Sequence, residues 1–232
     1  MEAAVVEADR VLGDRTRFAL AEEAWTRFVA VLDGPPQENP GLAKLFSKPS
    51  VFDQSMTYRR PEPLGRHHEF DDFDCGEQAR DEWLEKHARA EERLMWHVGL
   101  SSRRTTMPRR WLAITLSQPP RSSRQTLPSG REKGQPSLLP VPAVLLARLA
   151  VDRRHQGDGL GWSLLQDVVL RCVATADAIG VRVLLVHATN ERARAWYEQY
   201  GFEESPTDPL HRVLMMKDAR SFVERYASVS DE

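Results

Sequence analysis

One stretch limits the possible folds of this chain more than any other. Residues 143–151 read AVLLARLAV, a continuous apolar run of strand length. Asp152, Arg153, Arg154, His155, Gln156, Gly157, Asp158, Gly159, Leu160 and Gly161 follow. Leu160, Leu164, Leu165, Val168, Val169, Cys172 and Val173 then repeat at helical spacing up to Gly180. A buried strand, a glycine turn and an amphipathic helix in that order demand a sheet with helices packed on it. Glycine at 157 and 159 lets the backbone approach a ligand and take angles other residues avoid. The helix behind presents unpaired N–H groups and the positive end of its dipole. That combination is a cradle for a pyrophosphate. As a bare pattern it is equally an ordinary turn between strand and helix.

The rest of the C-terminal half continues the alternation. Residues 181–187 (VRVLLVH) predict a strand, 191–200 a helix ended by Gly201, and 211–217 (HRVLMMK) a last strand. The expectation is a mixed α/β (α+β) sheet flanked by helices, preceded by a short helical N-terminal extension. Further upstream, Asp74 suits the cap of a helix starting at Gly76-Glu77. Trp83, Leu84, His87, Ala88, Leu94 and Met95 would form its inner side.

The glycine pattern fits neither a dinucleotide fingerprint nor a P-loop: the third glycine spacing fails and no Gly-Lys-Ser/Thr follows. Arg-x-x-Gly-x-Gly (Arg154, Gly157, Gly159) after an apolar strand resembles the acetyl-CoA loop of the GNAT N-acetyltransferases. Asn190, Ala193, Trp196, Tyr197, Gly201 and Phe202 resemble that family's later Asn-x-x-Ala-x-x-aromatic-Tyr-x-x-x-Gly-Phe segment. The resemblance implies a GNAT fold and direct transfer of acetyl from acetyl-CoA to an amine. It implies cofactor contacts from Leu149, Ala150 and Val151, from the loop 153–161, and from Asn190. A backbone amide near Leu149–Val151 would polarise the thioester carbonyl, and Tyr197 would protonate the leaving thiolate. The bland alternative for Tyr197 is a core aromatic. His155 and His187 read as structural or solvated rather than as bases.

LARLAVDRRHQGDGLG, VLLVHATNERARAWYEQYGF and FDDFDCGEQARDEWL are similar to one GNAT subgroup, bacterial toxins that acetylate aminoacyl-tRNA and stop translation. On that resemblance Arg148, Arg192 and Arg194 would meet the tRNA backbone, and Arg153 or Arg154 the CoA phosphates. An exposed helix face explains Arg192 and Arg194 as well. Residues 8–52 resemble the C-terminal neutralising tail of the ribbon-helix-helix antitoxin paired with such toxins. The chain therefore divides into an antitoxin-tail-like segment at 1–55 and an acetyltransferase domain at 56–232. The tail would act in cis or on a neighbouring chain, at an effective concentration of order mM. The antitoxin's DNA-binding ribbon is missing, so no DNA binding by this chain is expected. A homodimer is left open. The competing readings are an acetyltransferase for a protein or small amine, and a silent acetyl-CoA-binding remnant.

Composition supports this reading. Of 232 residues, 32 are basic and 34 acidic, which excludes a polybasic coat. Residues 1–55 hold nine acidic and six basic residues, and their apolar stripes (Val5, Ala8, Val11, Leu12; Ala24, Trp25, Phe28, Val31, Leu32; Leu42, Leu45, Phe46) are too small to form a core together. They should pack on something else. Two cysteines exclude a four-thiolate zinc site, and no metal is expected. No apolar run approaches ~20 residues and the N-terminus is acidic, so no membrane contact and a cytoplasmic location are expected.

Residues 99–139 depart from the family, with eight basic residues against Glu132 alone. Where the family has an acidic turn and a Val-x-Gly-Tyr-Tyr strand, residues 99–123 read GLSSRRTTMPRRWLAITLSQPPRSS. Codons exist for Arg104–Pro108 and Arg110–Thr115 that, read in a shifted frame, encode Asp-Asp-Asp-Ala and Val-Ala-Gly-Tyr-Tyr. A pair of compensating frame errors accounts for that, and a divergent flexible hairpin is the alternative. In either case Trp111–Leu116 retains the character of a strand.

Overall fold

The protein is described from a computed structural model covering residues 22–54, 58, 60–61, 73–78, 80–82, 95–98, 114–117, 141–206 and 208–230. Three helices open it: α1 (Glu22–Asp33), α2 (Pro40–Leu45) and α3 (Val51–Gln54). Strands β1 (Met95–Val98), β2 (Ile114–Ser117) and β3 (Ala143–Leu149) follow. A 3-10 turn (Arg153–His155), α4 (Leu160–Ile179), β4 (Val183–His187) and α5 (Glu191–Glu198) come next. The chain ends with β5 (Glu203–Glu204), β6 (His211–Met215) and α6 (Met216–Ser230). The expected strand–helix–strand–helix–strand succession is present.

Among the described residues the strands form one sheet in the order β1-β2-β3-β4-β6-β5. Only β3 and β4 run parallel, which requires the crossover that α4 provides. Alternation along the strands separates two cores. Val144, Leu146, Leu184, Val186 and Leu214 face α4. Leu145, Val183, Leu185, Val213 and Met215 face the opposite side.

The N-terminal segment supplies both cores. Leu32 of α1, with Phe28 beside it, covers the second face. Leu42, Leu45 and Phe46 enter the first core against α4 and α6, and Phe46 packs against Phe222 and Tyr226 at 5.5 and 5.6 Å between ring centres. At roughly 2 kcal/mol per fully buried large side chain, these contacts anchor the segment. Among the described residues, Phe28, Leu32, Leu42, Leu45 and Phe46 of its stripes pack on the rest of the fold.

Several expected boundaries shift. Met95 belongs to β1, not to the inner side of a helix from Gly76. Its pairing with Ser117 is long-range, and a residue one place after Leu94 in a helical pattern does not reveal it. Helix is present at 80–82, while Trp83, Leu84, His87, Ala88 and Leu94 lie outside the described residues. So do Val5, Ala8, Val11, Leu12 and Trp111. β2 lies at Ile114–Ser117, shifted from the expected 111–116. The last strand ends at Met215, and α6 begins at once. That helix was not anticipated, although Ala219, Phe222 and Tyr226 have the spacing for it. Val31 is half exposed despite lying in the expected apolar stripe.

Candidate active site

The parallel pairing of β3 with β4 ends at Leu146–Val186. Beyond it, β3 stays with β2 through Arg148 and Leu149, and β4 stays with β6 through His187. The two central strands therefore part at their C-terminal ends. The register of β2 on β3 skips Ala147, so a bulge turns the chain just before Leu149. Leu149, Ala150 and Val151 lie on the rim of this opening.

The loop after β3 is braced from inside. Asp152 is buried and caps the 3-10 turn, accepting from the Arg154 amide at 2.9 Å and from Arg154 Nε at 2.7 Å. Burial works to raise the Asp152 carboxyl, but the Arg154 bonds together outweigh it and hold it below its ordinary value. Arg154 is thus paired with Asp152 at the foot of the loop. Arg153 is largely exposed, with a loose 3.7 Å approach to Asp74. Gln156 Nε2 donates to the Val151 carbonyl at 2.9 Å and the Cys75 carbonyl at 3.1 Å, fixing the strand end. His155 and Asp158 both meet the Tyr58 hydroxyl, which donates to Asp158 at 3.0 Å. Burial and the Asp158 carboxylate push the Tyr58 phenol up to about 12.

Gly157 and Gly159 take φ of +93° and +86°, the left-handed region that favours glycine. Gly159 is the N-cap of α4, and no side chain caps the helix. The first-turn amides of α4, from Leu160 and Gly161 onward, therefore face the loop unclaimed by a cap. An anion of phosphate type fits there. Gly161 lies close to Trp196 and Val151, linking the helix start to α5.

Asn190 starts α5 by accepting from the Ala193 amide at 2.9 Å, so its side chain serves as a cap. Tyr197, two turns on, is 8% exposed and packs edge-on against Trp196 and Phe202. Burial raises its phenol and the Arg80 cation works the other way, so the group stays protonated at neutral pH. Arg80 is the residue that sequence reading missed. Its guanidinium donates to Thr189 Oγ1 at 3.0 Å and approaches the Leu149 carbonyl at 3.4 Å, spanning the parting of β3 and β4. Its position within CGEQARDEW carries no spacing signal; only the fold brings it to the cleft.

The other arginines divide. Arg148 stands opposite Thr115 beside the bulge, and Arg192 is exposed on α5. Arg194 pairs with Glu191 at 3.0 Å and Glu198 at 3.5 Å, the helix-face alternative noted from sequence. Burial pushes the thiols of Cys75 and Cys172 up to about 12, so neither is a nucleophile at neutral pH.

A parting parallel pair, an uncapped helix start behind a glycine loop, and a buried phenol on the next helix define a GNAT acetyltransferase fold. The comparisons agree. Residues 129–204 match the family described as Acetyltransferase (GNAT) domain, and residues 1–50 match Antitoxin TacA 1-like. The chain is thus similar to a GNAT domain over residues 129–204 and to a TacA-like antitoxin over residues 1–50. It is 60% identical over 84 residues to a tRNA-acetylating toxin of Mycobacterium tuberculosis (strain ATCC 25618 / H37Rv), covering 36% of this chain and 51% of that protein. It is 49% identical over 51 residues to the antitoxin TacA of the same organism, covering 22% and 32%. A crystal structure of AtaTR bound with AcCoA superimposes with a TM-score of 0.57 at 25% identity, covering 73% of this chain and 99% of that one. The chain spans about half the length of the curated toxin and a third of the antitoxin.

Proposed function

We propose that this chain is an acetyl-CoA-dependent N-acetyltransferase whose acceptor is the amino group of aminoacyl-tRNA, restrained by its own antitoxin-like segment. The observation that supports the reading is the buried Tyr197 phenol within electrostatic reach of Arg80, which bonds to Leu149 and Thr189 at the parted ends of β3 and β4. The amides of the 157–161 loop would hold the CoA pyrophosphate, with Arg153 at the loop edge. The amides at the end of β3 would accept the thioester carbonyl's developing charge. The acceptor amine attacks the carbonyl carbon, the C–S bond breaks, the Tyr197 hydroxyl donates its proton to the departing thiolate, and the proton shed by the acceptor nitrogen returns to Tyr197 through solvent. Acceptor choice rests on similarity to the tRNA-acetylating toxin; Arg148 and Arg192 are the cations offered to a phosphate backbone.

The restraint reading rests on contacts to both helices of the site. Asn39 Nδ2 donates to the Gly201 carbonyl at 2.9 Å, and Lys44 Nζ to Gln199 at 3.0 Å, both at the end of α5. Gln166 of α4 donates to the Leu45 and Lys48 carbonyls at 2.7 and 3.0 Å. Ser163 Oγ accepts from the Val51 amide at 3.1 Å. Cutting the segment away would strip Leu42, Leu45 and Phe46 from the core, so the test uses point changes in the full chain. Labelled acetyl-CoA is offered with charged tRNA, with peptide amines and with no acceptor. Acetyl-aminoacyl-tRNA should form, faster in Asn39→Ala than in the parent, and not in Tyr197→Phe. Transfer to peptide alone would move the acceptor assignment, and equal rates with Asn39→Ala would remove the restraint.

A further inference from the structure

We infer that His187, Asp208 and His211 form a binding site for a divalent transition-metal ion of the zinc class, on the sheet face opposite α4. This inference does not depend on acetyl transfer. Each residue offers one donor atom, and the three atoms lie within 4.8 Å of one another. It is the one such group among the described residues. No spacing in the sequence announces it, because His187 and His211 lie 24 positions apart and meet only through pairing of β4 with β6.

The framework is held by backbone bonds. His187 and His211 are directly opposed in the antiparallel ladder, with rings 4.9 Å apart at 72°. The adjacent Ala188 amide donates to the Leu210 carbonyl at 2.9 Å. Asp208 starts the turn into β6: its carbonyl accepts from the His211 amide at 3.0 Å, and Oδ1 accepts from the Leu210 amide at 2.8 Å. That second bond orients the carboxylate as the outer-shell partner of a metal ligand does. One carboxylate oxygen of Asp208 is the third donor.

The donor set is two imidazoles and one carboxylate, the composition that suits zinc and its first-row neighbours rather than calcium or magnesium. Tetrahedral bonds of about 2.0–2.1 Å bring donors to roughly 3.3 Å, so a rotation of about 1.5 Å closes the group. His211 is buried, while His187 and Asp208 are half-buried, which leaves a side through which an ion enters. His187 is the first β4 residue past the last β3 pair, so the ion would sit at the mouth of the parted strands and tie the end of β4 to β6.

The test is zinc binding to the full chain with any purification tag removed. Calorimetry and elemental analysis should give one Zn2+ per chain, and Co2+ should develop visible d–d absorption. Asp208→Asn should weaken zinc by at least about tenfold, and His211→Gln should abolish it. Zinc should raise the unfolding midpoint of the parent but not of Asp208→Asn. If His211→Gln does not fold, Asp208→Asn carries the comparison alone. A parent that binds no stoichiometric zinc has only a histidine–aspartate hydrogen-bond set, and that overturns the proposal. Equal zinc binding in the parent and both variants overturns it too.

Discussion

A pair of glycines and a single glycine do opposite work. Where the N-terminal segment docks, a Cβ on Gly41 would lie 2.1 Å from the Gly201 amide nitrogen, and one on Gly201 would lie 2.0 Å from Asn39 Oδ1. Here glycine lets two backbones touch. In the loop after β3, a Cβ on Gly157 would meet nothing within 4 Å. There glycine keeps a surface bare and takes a left-handed angle. The pair closes an intramolecular interface, whereas Gly157 borders open space just before the start of α4. The same residue type reads alike in both sequences. Only the neighbours distinguish an interface from a site.

The largest expected effect falls on the open side. Tyr197→Phe should lower kcat by about 10²-fold or more with little change in unfolding midpoint, since only the hydroxyl is lost. A parent-like kcat would reduce Tyr197 to a core aromatic. Next comes the closed side. Gly41→Ala drives a methyl into backbone that cannot yield, and should cost on the order of 3 kcal/mol in denaturant unfolding. A change below about 1 kcal/mol would mean that the segment docks more loosely than Gly201 and Asn39 indicate.

The brace under the open loop should matter less and depend on pH. Asp152→Asn should cost about 2 kcal/mol near neutral pH, from the lost charged hydrogen bonds to Arg154. The folded carboxyl titrates below its ordinary value of 3.8, so its contribution is present above that value and lost as pH falls through the folded one. The gap between parent and variant should therefore close in acid, read as unfolding midpoint against pH. Gly157→Ala strains a positive φ and should cost about 1 kcal/mol, yet leave the Gly41–Gly201 contact intact. Arg194→Ala should move stability by no more than about 0.5 kcal/mol, because its partners Glu191 and Glu198 are exposed.

Much of the fold was legible because its signals are local. AVLLARLAV and VRVLLVH are apolar runs bounded by turns, and Gly180 and Gly201 stop helices at positive φ. The cradle was equally legible, since Gly157, Gly159 and the start of α4 are contiguous. What escaped was non-local. Arg80 reaches the cleft from 69 positions before Leu149. Met95 became a strand residue only by pairing with Ser117.

The sequence by itself determined the alternation of strand and helix, the glycine loop at the start of α4, and the need of the N-terminal stripes for a surface. Periodicity and glycine angles act within a few residues, so no folded neighbour is required to read them. The tertiary structure decided which face each described stripe covers, where β3 and β4 part, and which carboxylates pair with Arg154 and Arg194. Those outcomes depend on strand register and on competition for charged partners. Both are set by distances between residues that the chain order does not hold close.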